Sequence, residues 1–294
     1  MNSLYRKRDF GEKINAVFQY IGLHFRSLLM ALLYIVGPVA IATAIASSVT
    51  MTNILQATSD AQADPGNPYA GLMLMGRLFS PAYWLTLFFS ILTNVAVILT
   101  TYAHVHRTEN GQSVAVADLW EDLQPQIGRM IGFTLLMSII TSIGFIVLLI
   151  PGLYIGVVLS TGFAVTYFEK SSFGTTWSRC FALMRDNWWS TFGYLLVMLL
   201  IVVIIGLVFT LPSGLFGFLS AAKLLPGNGL PLWFIIANTI ALIGRALINS
   251  VLYLAVAFQY GNLVEQNENV SLYSAINTIG TTPTKPRATD EGEF

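Results

Sequence analysis

Six stretches of about 20 predominantly apolar residues dominate this sequence, and each is long enough to cross a bilayer as a helix. Charged residues make up only 10% of the 294 residues and hydrophobic residues 55%, too few charges to cover a soluble protein of this size. The sequence therefore predicts an all-α polytopic membrane protein. We expect one domain, residues 1–280, followed by a disordered tail, 281–294. The predicted transmembrane helices are 27–50, 81–103, 130–150, 151–168, 190–211 and 236–259.

The distribution of Lys and Arg predicts the orientation, because cytoplasmic loops are enriched in them. The loops on one side of the membrane contain only two basic residues, Arg77 and Lys223, and those on the other side contain 12. An even number of crossings puts both termini on the side with the 12 basic residues. We therefore expect both termini in the cytoplasm. The 12 residues expected on that side are Arg6, Lys7, Arg8, Lys13, Arg26, Arg107, Arg129, Lys170, Arg179, Arg185, Lys285 and Arg287.

Pro151-Gly152 separates two predicted crossings with almost no loop between them. Proline suits the first turn of a helix and glycine suits a tight reversal, so this stretch predicts a helical hairpin. The alternative is one kinked helix of about 39 residues. Such a helix would be ~58 Å long, about twice the thickness of the hydrocarbon core.

Three segments that precede membrane stretches carry apolar residues at helical spacing, which predicts an internal repeat of a cytoplasmic amphipathic helix and a two-span hairpin. Phe10, Phe18 and Phe25 recur at a constant offset as Phe173, Phe181 and Trp188. Such helices are expected to lie in the membrane interface. The alternative is that they are plain connectors packed on the bundle. The third segment contains Val116, Leu119, Trp120, Leu123 and Ile127.

Arg245 is the one charged residue inside a predicted span, and intramembrane charge marks a candidate functional site. It lies ~22 Å along the helix from Tyr260, so its side chain is long enough to snorkel to the far interface. The sequence leaves a snorkelling or structural role and a substrate role open. Asn249, one turn away, can help to solvate it.

Candidate catalytic and metal-binding groups are scarce. No acidic residue lies deep in a span, which argues against proton-coupled transport, and His24, His104 and His106 are expected at the surface. The single cysteine, Cys180, lies on an apolar stripe and is expected to pack. With no catalytic constellation, metal site or cofactor motif, the sequence predicts a protein that is not an enzyme and has no cofactor. The 15 basic residues balance 15 acidic ones, which argues against a nucleic-acid partner.

Two further features of the sequence concern packing. Gly152, Gly156, Ser160 and Ala164 repeat every four residues, which predicts a seam for close helix packing or, alternatively, a dimerisation face. Glu169 at the end of the fourth stretch and Arg179 on the next helix predict an ion pair, with Glu109 or Asp122 as alternative partners of the guanidinium. Solvation of both as separate surface charges is the other interpretation.

A family resemblance is carried by residues 151–189. The residues that carry it are Pro151-Gly152-Leu153-Tyr154, Glu169, Trp177-Ser178-Arg179-Cys180-Phe181-Ala182-Leu183 and Trp188-Trp189. This stretch resembles the six-span membrane domain of some bacterial glycerophosphodiester phosphodiesterases and of stand-alone, Bacteroidota-like membrane proteins. Glu169 and Arg179 match that pattern, whereas Cys180 replaces Ser and Asp186-Asn187 replaces Gly-Arg. The resemblance implies a fold and a location in the bacterial inner membrane; the phosphodiesterase chemistry belongs to a separate domain.

These features predict a non-enzymatic integral inner-membrane protein, either a scaffold or a lipid-interacting accessory subunit. Its expected partners are membrane lipids and a partner membrane protein or a second copy of the chain. The alternative is a permease or a protein that translocates lipids or small solutes. A dry, tightly packed core would favour the scaffold, and acidic or histidine groups facing a water-filled cavity would favour the permease.

Overall fold

The computed structural model describes residues 4–63, 80–222 and 232–279, together with 69, 71, 72, 75, 76 and 224. These residues form an all-helical protein without a strand, and a short 3-10 helix, Gln124–Gln126, joins α4 to α5. The predicted tail and the loop residues Arg77 and Lys223 lie outside the described residues. The helices are α1 (Phe10–Ile35), α2 (Gly37–Ala63), α3 (Pro81–Glu109), α4 (Val116–Leu123), α5 (Ile127–Val147), α6 (Leu149–Ser160), α7 (Gly162–Phe168), α8 (Phe173–Met184), α9 (Trp188–Ala221), α10 (Leu232–Glu268) and α11 (Val270–Ile279).

Seven helical stretches are long and apolar enough to cross a membrane, in agreement with a multi-pass membrane protein. The sequence predicted six. The difference arises in the first, 27–50, which the structure divides between α1 and α2 at Val36. Pro38 follows directly and lacks the N–H that a continuous helix needs, which explains the interruption. The seven stretches are Phe10–Ile35, Gly37–Thr58, Pro81–Glu109, Val116–Ile146, Leu149–Phe168, Trp188–Leu219 and Phe234–Glu268.

The end of α1 and the first half of α2 run in one direction along α3. Near one end of α3, the Ser27 hydroxyl lies 2.9 Å from His104 Nε2. Towards its other end, α2 pairs with α3 through the threonine hydroxyls of Thr43 and Thr93, 2.8 Å apart. A second pair, Thr50 and Thr86, follows further on at the same distance. The predicted stretch 27–50 thus follows a single neighbouring helix throughout, despite the break at Val36.

The long helix α10 occupies the centre of the bundle, where it contacts α1, α2, α3 and α9. It runs antiparallel to α9. The amide of Gln259 donates to the Thr191 hydroxyl at 2.7 Å near the start of α9, and the Phe209 ring lies against Gly244 further along. Near the other end of α10, the amide of Asn238 donates hydrogen bonds to the hydroxyls of Ser47 and Ser48 in α2.

The predicted hairpin is present, but its reversal lies earlier than Pro151-Gly152. Leu148 is extended (φ −157°, ψ 133°) between α5 and α6, and Pro151 falls in the first turn of α6. The two helices approach closely: a Cβ on Gly152 would lie 2.8 Å from the carbonyl carbon of Gly144. The predicted fourth span, 151–168, is itself interrupted at Thr161, between α6 and α7.

The first half of α1 buries part of its apolar stripe. The bundle covers Val17 together with Lys13, Ala16 and Tyr20, and Ile14 and Ile21 pack against the core, whereas Phe10, Phe18 and Phe25 are exposed. An Asp9–Glu12 capping box begins the helix. In α8, the buried residues are Thr176, Cys180, Leu183 and Met184, with Trp177 and Phe181 partly buried against the core.

Candidate functional site

A cavity of about 490 Å³ lies between α3, α9 and α10. Its wall contains both residues that sequence analysis singled out in the last span, Arg245 and Asn249. The other polar groups come from α2, α3, α9 and α10. They are Thr43, Ser90, Thr93, Asn94, Thr210 and Tyr253.

Arg245 makes no ion pair with any residue that the structure describes, and its side chain is exposed. None of the described residues lining the cavity is acidic or a histidine. A guanidinium carries five N–H donors and remains charged in proteins. The cavity therefore presents a cation whose counter-charge the surrounding helices do not supply.

Neutral polar groups beside Arg245 are held in place by bonds between helices. The Tyr253 hydroxyl donates to Asn94 Oδ1 at 2.9 Å, which leaves the amide nitrogen of Asn94 as a donor for a ligand. Thr93 is held by Thr43 across the α2–α3 contact. Together with Asn249, these groups form a polar wall whose composition favours an acceptor-rich ligand.

The α9 wall of the cavity is mostly apolar, although it includes Thr210. Leu199, Val203 and Leu207 line it, and the same three side chains are exposed on the outside of the bundle. A cavity with one polar wall and one apolar, outward-facing wall suits an amphipathic molecule. A charged head group would meet Arg245 while a hydrocarbon portion contacts α9.

A second cavity, of about 230 Å³, lies at the end of the bundle where α3 and α7 finish. Arg129 and Lys170 line it together with Glu121 and Asp122. Asp122 is already paired with Arg107, whose Nε lies 2.5 Å from its carboxylate. The two signs of charge therefore offset each other, and this cavity selects neither anions nor cations.

The ion pair predicted between Glu169 and Arg179 is confirmed, with 2.9 Å between Oε1 and Nε. Arg179 also pairs with Glu268 at 2.5 Å, whereas the alternative partners Glu109 and Asp122 do not receive it. The Tyr260 hydroxyl donates to the same oxygen of Glu169 at 3.0 Å. Although burial lowers the pKa of Arg179, its hydrogen bonds to the two glutamates raise that pKa above its usual value.

The predicted packing seam lies in two different environments. Gly152 and Gly156 face α5, where Thr141 is the nearest side chain to Gly156. The Ser160 hydroxyl donates back to the carbonyl of Val157 at 2.7 Å, and Ala164 is fully buried in the core beyond the break at Thr161.

His104 was expected at the surface, and this prediction is wrong. Its side chain is fully buried, 2.7 Å from the Tyr20 hydroxyl through Nδ1 and 2.9 Å from the Ser27 hydroxyl through Nε2. The ring of His24 lies 5.9 Å away. Sequence analysis placed His104 at a helix end but had no means of knowing that α1 folds over that end.

Cys180 is buried, as its apolar stripe predicted, and burial raises the pKa of its thiol to about 11. A nucleophilic cysteine needs a lowered pKa, so this thiol suits packing. Among the described residues, no group of three or more His, Cys, Asp or Glu side chains is arranged to hold a metal ion.

Comparison with known protein families, curated proteins and solved structures finds no match. The resemblance to the six-span membrane domain therefore remains a prediction from the residues that carry it.

Proposed function

We propose that this protein is a lipid-interacting integral membrane protein that holds the anionic head group of a membrane lipid in the cavity between α3, α9 and α10. The supporting observation is Arg245, an exposed guanidinium without an acidic partner in the described structure, beside the amide of Asn94. A charge at this depth is costly unless it is paired. A lipid phosphate supplies the missing counter-charge.

The shape of the cavity supports a lipid rather than a free anion. A phosphate alone would fill a small part of about 490 Å³ and would leave the apolar α9 wall without a partner. Acyl chains can cover Leu199, Val203 and Leu207, which face outwards. Ligand sites combine mostly apolar walls with a few placed polar groups, and this cavity has that composition.

The proposal includes no catalytic step and no cofactor. We place the protein in the bacterial inner membrane with both termini in the cytoplasm, on the distribution of Lys and Arg. A scaffold role with a partner membrane protein or a second copy is compatible with lipid binding. Translocation of the bound lipid remains the alternative activity for the same cavity.

The test is retention of anionic lipid by purified protein in nanodiscs that contain equal amounts of phosphatidylglycerol and phosphatidylcholine. Native mass spectrometry would count the phosphatidylglycerol molecules that stay bound. We expect the wild type to be enriched in this lipid. Arg245→Gln should reduce the enrichment about tenfold or more, because a hydrogen bond to a charged group contributes about 1.5–3 kcal/mol.

Arg26→Gln is the matched control, since Arg26 is an exposed arginine on α1, away from the cavity. It should retain the wild-type enrichment, and Arg245→Lys should retain part of it. Equal enrichment in Arg245→Gln and wild type would contradict the proposal. Flipping of a labelled phosphatidylglycerol in proteoliposomes, lost in Arg245→Gln, would identify translocation as the activity of the site.

A further inference from the structure

Three helices meet at one end of the bundle, which we call the base and define by Phe168, Thr191, Gln259 and Tyr260. The ring of Phe168, at the end of α7, stacks on Tyr260 of α10 with 5.6 Å between centroids. The start of α9 lies at the same level, since Gln259 donates to Thr191 at 2.7 Å. Because α9 runs from there towards the opposite end of the bundle, Trp188 lies at the base.

Tyr154, in the middle of α6, also lies at the base. The indole N–H of Trp188 donates to its carbonyl oxygen at 3.3 Å, and the two rings stack with 5.5 Å between centroids. The ring of Phe181, on α8, is 6.4 Å away. In a straight helix, the fourteen residues from Tyr154 to Phe168 would separate them by ~21 Å along the axis. The contact with Trp188 is incompatible with that separation from the base.

An interruption at Thr161 lies between Tyr154 and Phe168. There α6 ends and α7 begins, and the contact of Tyr154 with Trp188 indicates that the two helices do not rise together as one straight helix. The Cys180 sulfur of α8 lies 3.1 Å from where a Cβ on Gly162 would be, so α8 packs alongside this interruption. The α6 helix therefore turns along the base instead of rising beside α9.

The tip of the hairpin has to follow α6. Leu148, at the reversal, is six residues from Tyr154, which corresponds to ~9 Å of helix. The close approach of Gly144 to Gly152 holds α5 against α6 next to that reversal. The tip is therefore near the level of the base and far from the opposite end of the bundle.

The chemistry of the hairpin identifies what covers it. No charged residue occurs from Met130 to Phe168, and Arg129 and Glu169-Lys170 flank this stretch. At the tip, Ile146 is 84% exposed and Ile150 is 79% exposed. Water is an unfavourable environment for these side chains, and hydrocarbon is a favourable one. The backbone is helical on both sides of the reversal, so insertion leaves few amide groups unpaired.

We propose that α5 and α6 form a hairpin that inserts into the leaflet on the base side and does not cross the bilayer, with the acyl chains of that leaflet as its binding partner. The sequence predicted two crossings for the same residues. The proposal replaces them by a one-leaflet anchor and leaves the parity of the crossings, and hence the predicted placement of both termini, unchanged. It is independent of lipid binding at Arg245.

Disulfide cross-linking in native membranes distinguishes the two arrangements. In a Cys180→Ser background, oxidation should cross-link Tyr154→Cys with Trp188→Cys. The matched pair, Tyr154→Cys with Ile204→Cys, should remain unlinked. If the hairpin crossed the bilayer, Tyr154 would lie about fourteen residues further along α9, at the level of Ile204, and this pair would form the cross-link. Absence of the first cross-link, or formation of the second, would overturn the proposal.

Labelling by a membrane-impermeant maleimide provides a measurement that does not depend on the Trp188 contact. Ser80 and Gln112 lie at opposite ends of α3, so cysteines there report the two membrane faces. Ile150→Cys should react at least about tenfold more slowly than either control, in spheroplasts and in disrupted membranes. If Ile150→Cys reacts as fast as Ser80→Cys, the hairpin crosses the bilayer. If Ile150→Cys reacts as fast as Gln112→Cys, the hairpin lies in water on the base side. Either result would refute insertion into one leaflet.

Discussion

Two regions of the bundle hold their charged side chains in different ways. At the base, Arg179 bridges two glutamates, and buried Glu265 accepts from the Ser271 backbone N–H at 2.9 Å. Around the cavity, Arg245 has no ion-pair partner in the described structure. Paired charges stabilise a fold, whereas an unpaired cation leaves a place for a ligand.

The N-terminal segment belongs to the base. The backbone N–H of Arg8 donates to the Asn262 side chain at 2.8 Å, and its guanidinium lies over the Phe258 ring at 5.2 Å from the centroid. Burial lowers the pKa of Arg8, as does nearby Arg6. The base thus collects residues from both ends of the described chain, and we expect mutations there to affect folding and mutations at Arg245 to affect binding.

The largest expected effect comes from His104→Leu. The substitution removes two hydrogen bonds, one to the Ser27 hydroxyl and one to the Tyr20 hydroxyl, although Ser27 keeps its bond to the His24 carbonyl and Tyr20 its bond to Thr108. Each lost hydrogen bond costs about 0.5–1.5 kcal/mol, so we expect the free energy of unfolding to fall by up to about 3 kcal/mol. Denaturant unfolding in detergent, followed by tryptophan fluorescence, measures it. His106→Leu, at an exposed position, is the control, and a similar loss there would refute the assignment.

Gly261→Ala should have the next largest effect. A Cβ at this position would lie 2.9 Å from the Leu4 carbonyl carbon, so the N-terminal segment has to move. Overpacking of this kind costs about 1–3 kcal/mol, and we expect about 2 kcal/mol. Gly22→Ala is the matched control in a helix with open space, and it should not destabilise. If proteases cleave the N-terminal segment of Gly261→Ala no faster than that of the wild type, the prediction is contradicted.

The Glu169–Arg179 pair should contribute less. Both side chains are 28% exposed, so solvent screens their attraction, and we expect a coupling of about 1 kcal/mol in a double-mutant cycle of Glu169→Gln and Arg179→Gln. High salt should reduce the coupling. A coupling of zero at low salt would mean that the two groups touch without stabilising the base.

Arg245→Gln should have the smallest effect on stability. Because the guanidinium has no ion-pair partner in the described structure, we expect the free energy of unfolding in lipid-free detergent to change by no more than ~0.5 kcal/mol. Added phosphatidylglycerol should then stabilise the wild type and not the variant. A loss in detergent as large as that of Arg179→Gln would show that Arg245 serves the fold, and the contrast between the base and the cavity would disappear.

Several features followed from the sequence alone because they depend on local composition and spacing. The apolar stretches predicted a helical membrane protein, and the nearby Glu169 and Arg179 predicted their ion pair. Pro151-Gly152 predicted a hairpin, although the reversal lies at Leu148. The charge of Arg245 in an apolar helix predicted a position of interest without indicating what surrounds it.

Other features were decided by contacts between segments far apart in the chain. His104 is buried because α1 folds over the end of α3, and no local pattern contains that information. Arg245 lines a cavity because hydroxyl and amide groups from α2 and α3, about 150 to 200 residues earlier, face the same space. Tyr154 stacks on Trp188, which is 34 residues away in the chain, and no local pattern contains that contact either. Hydropathy measures how apolar a helix is, and only packing determines which way that helix runs.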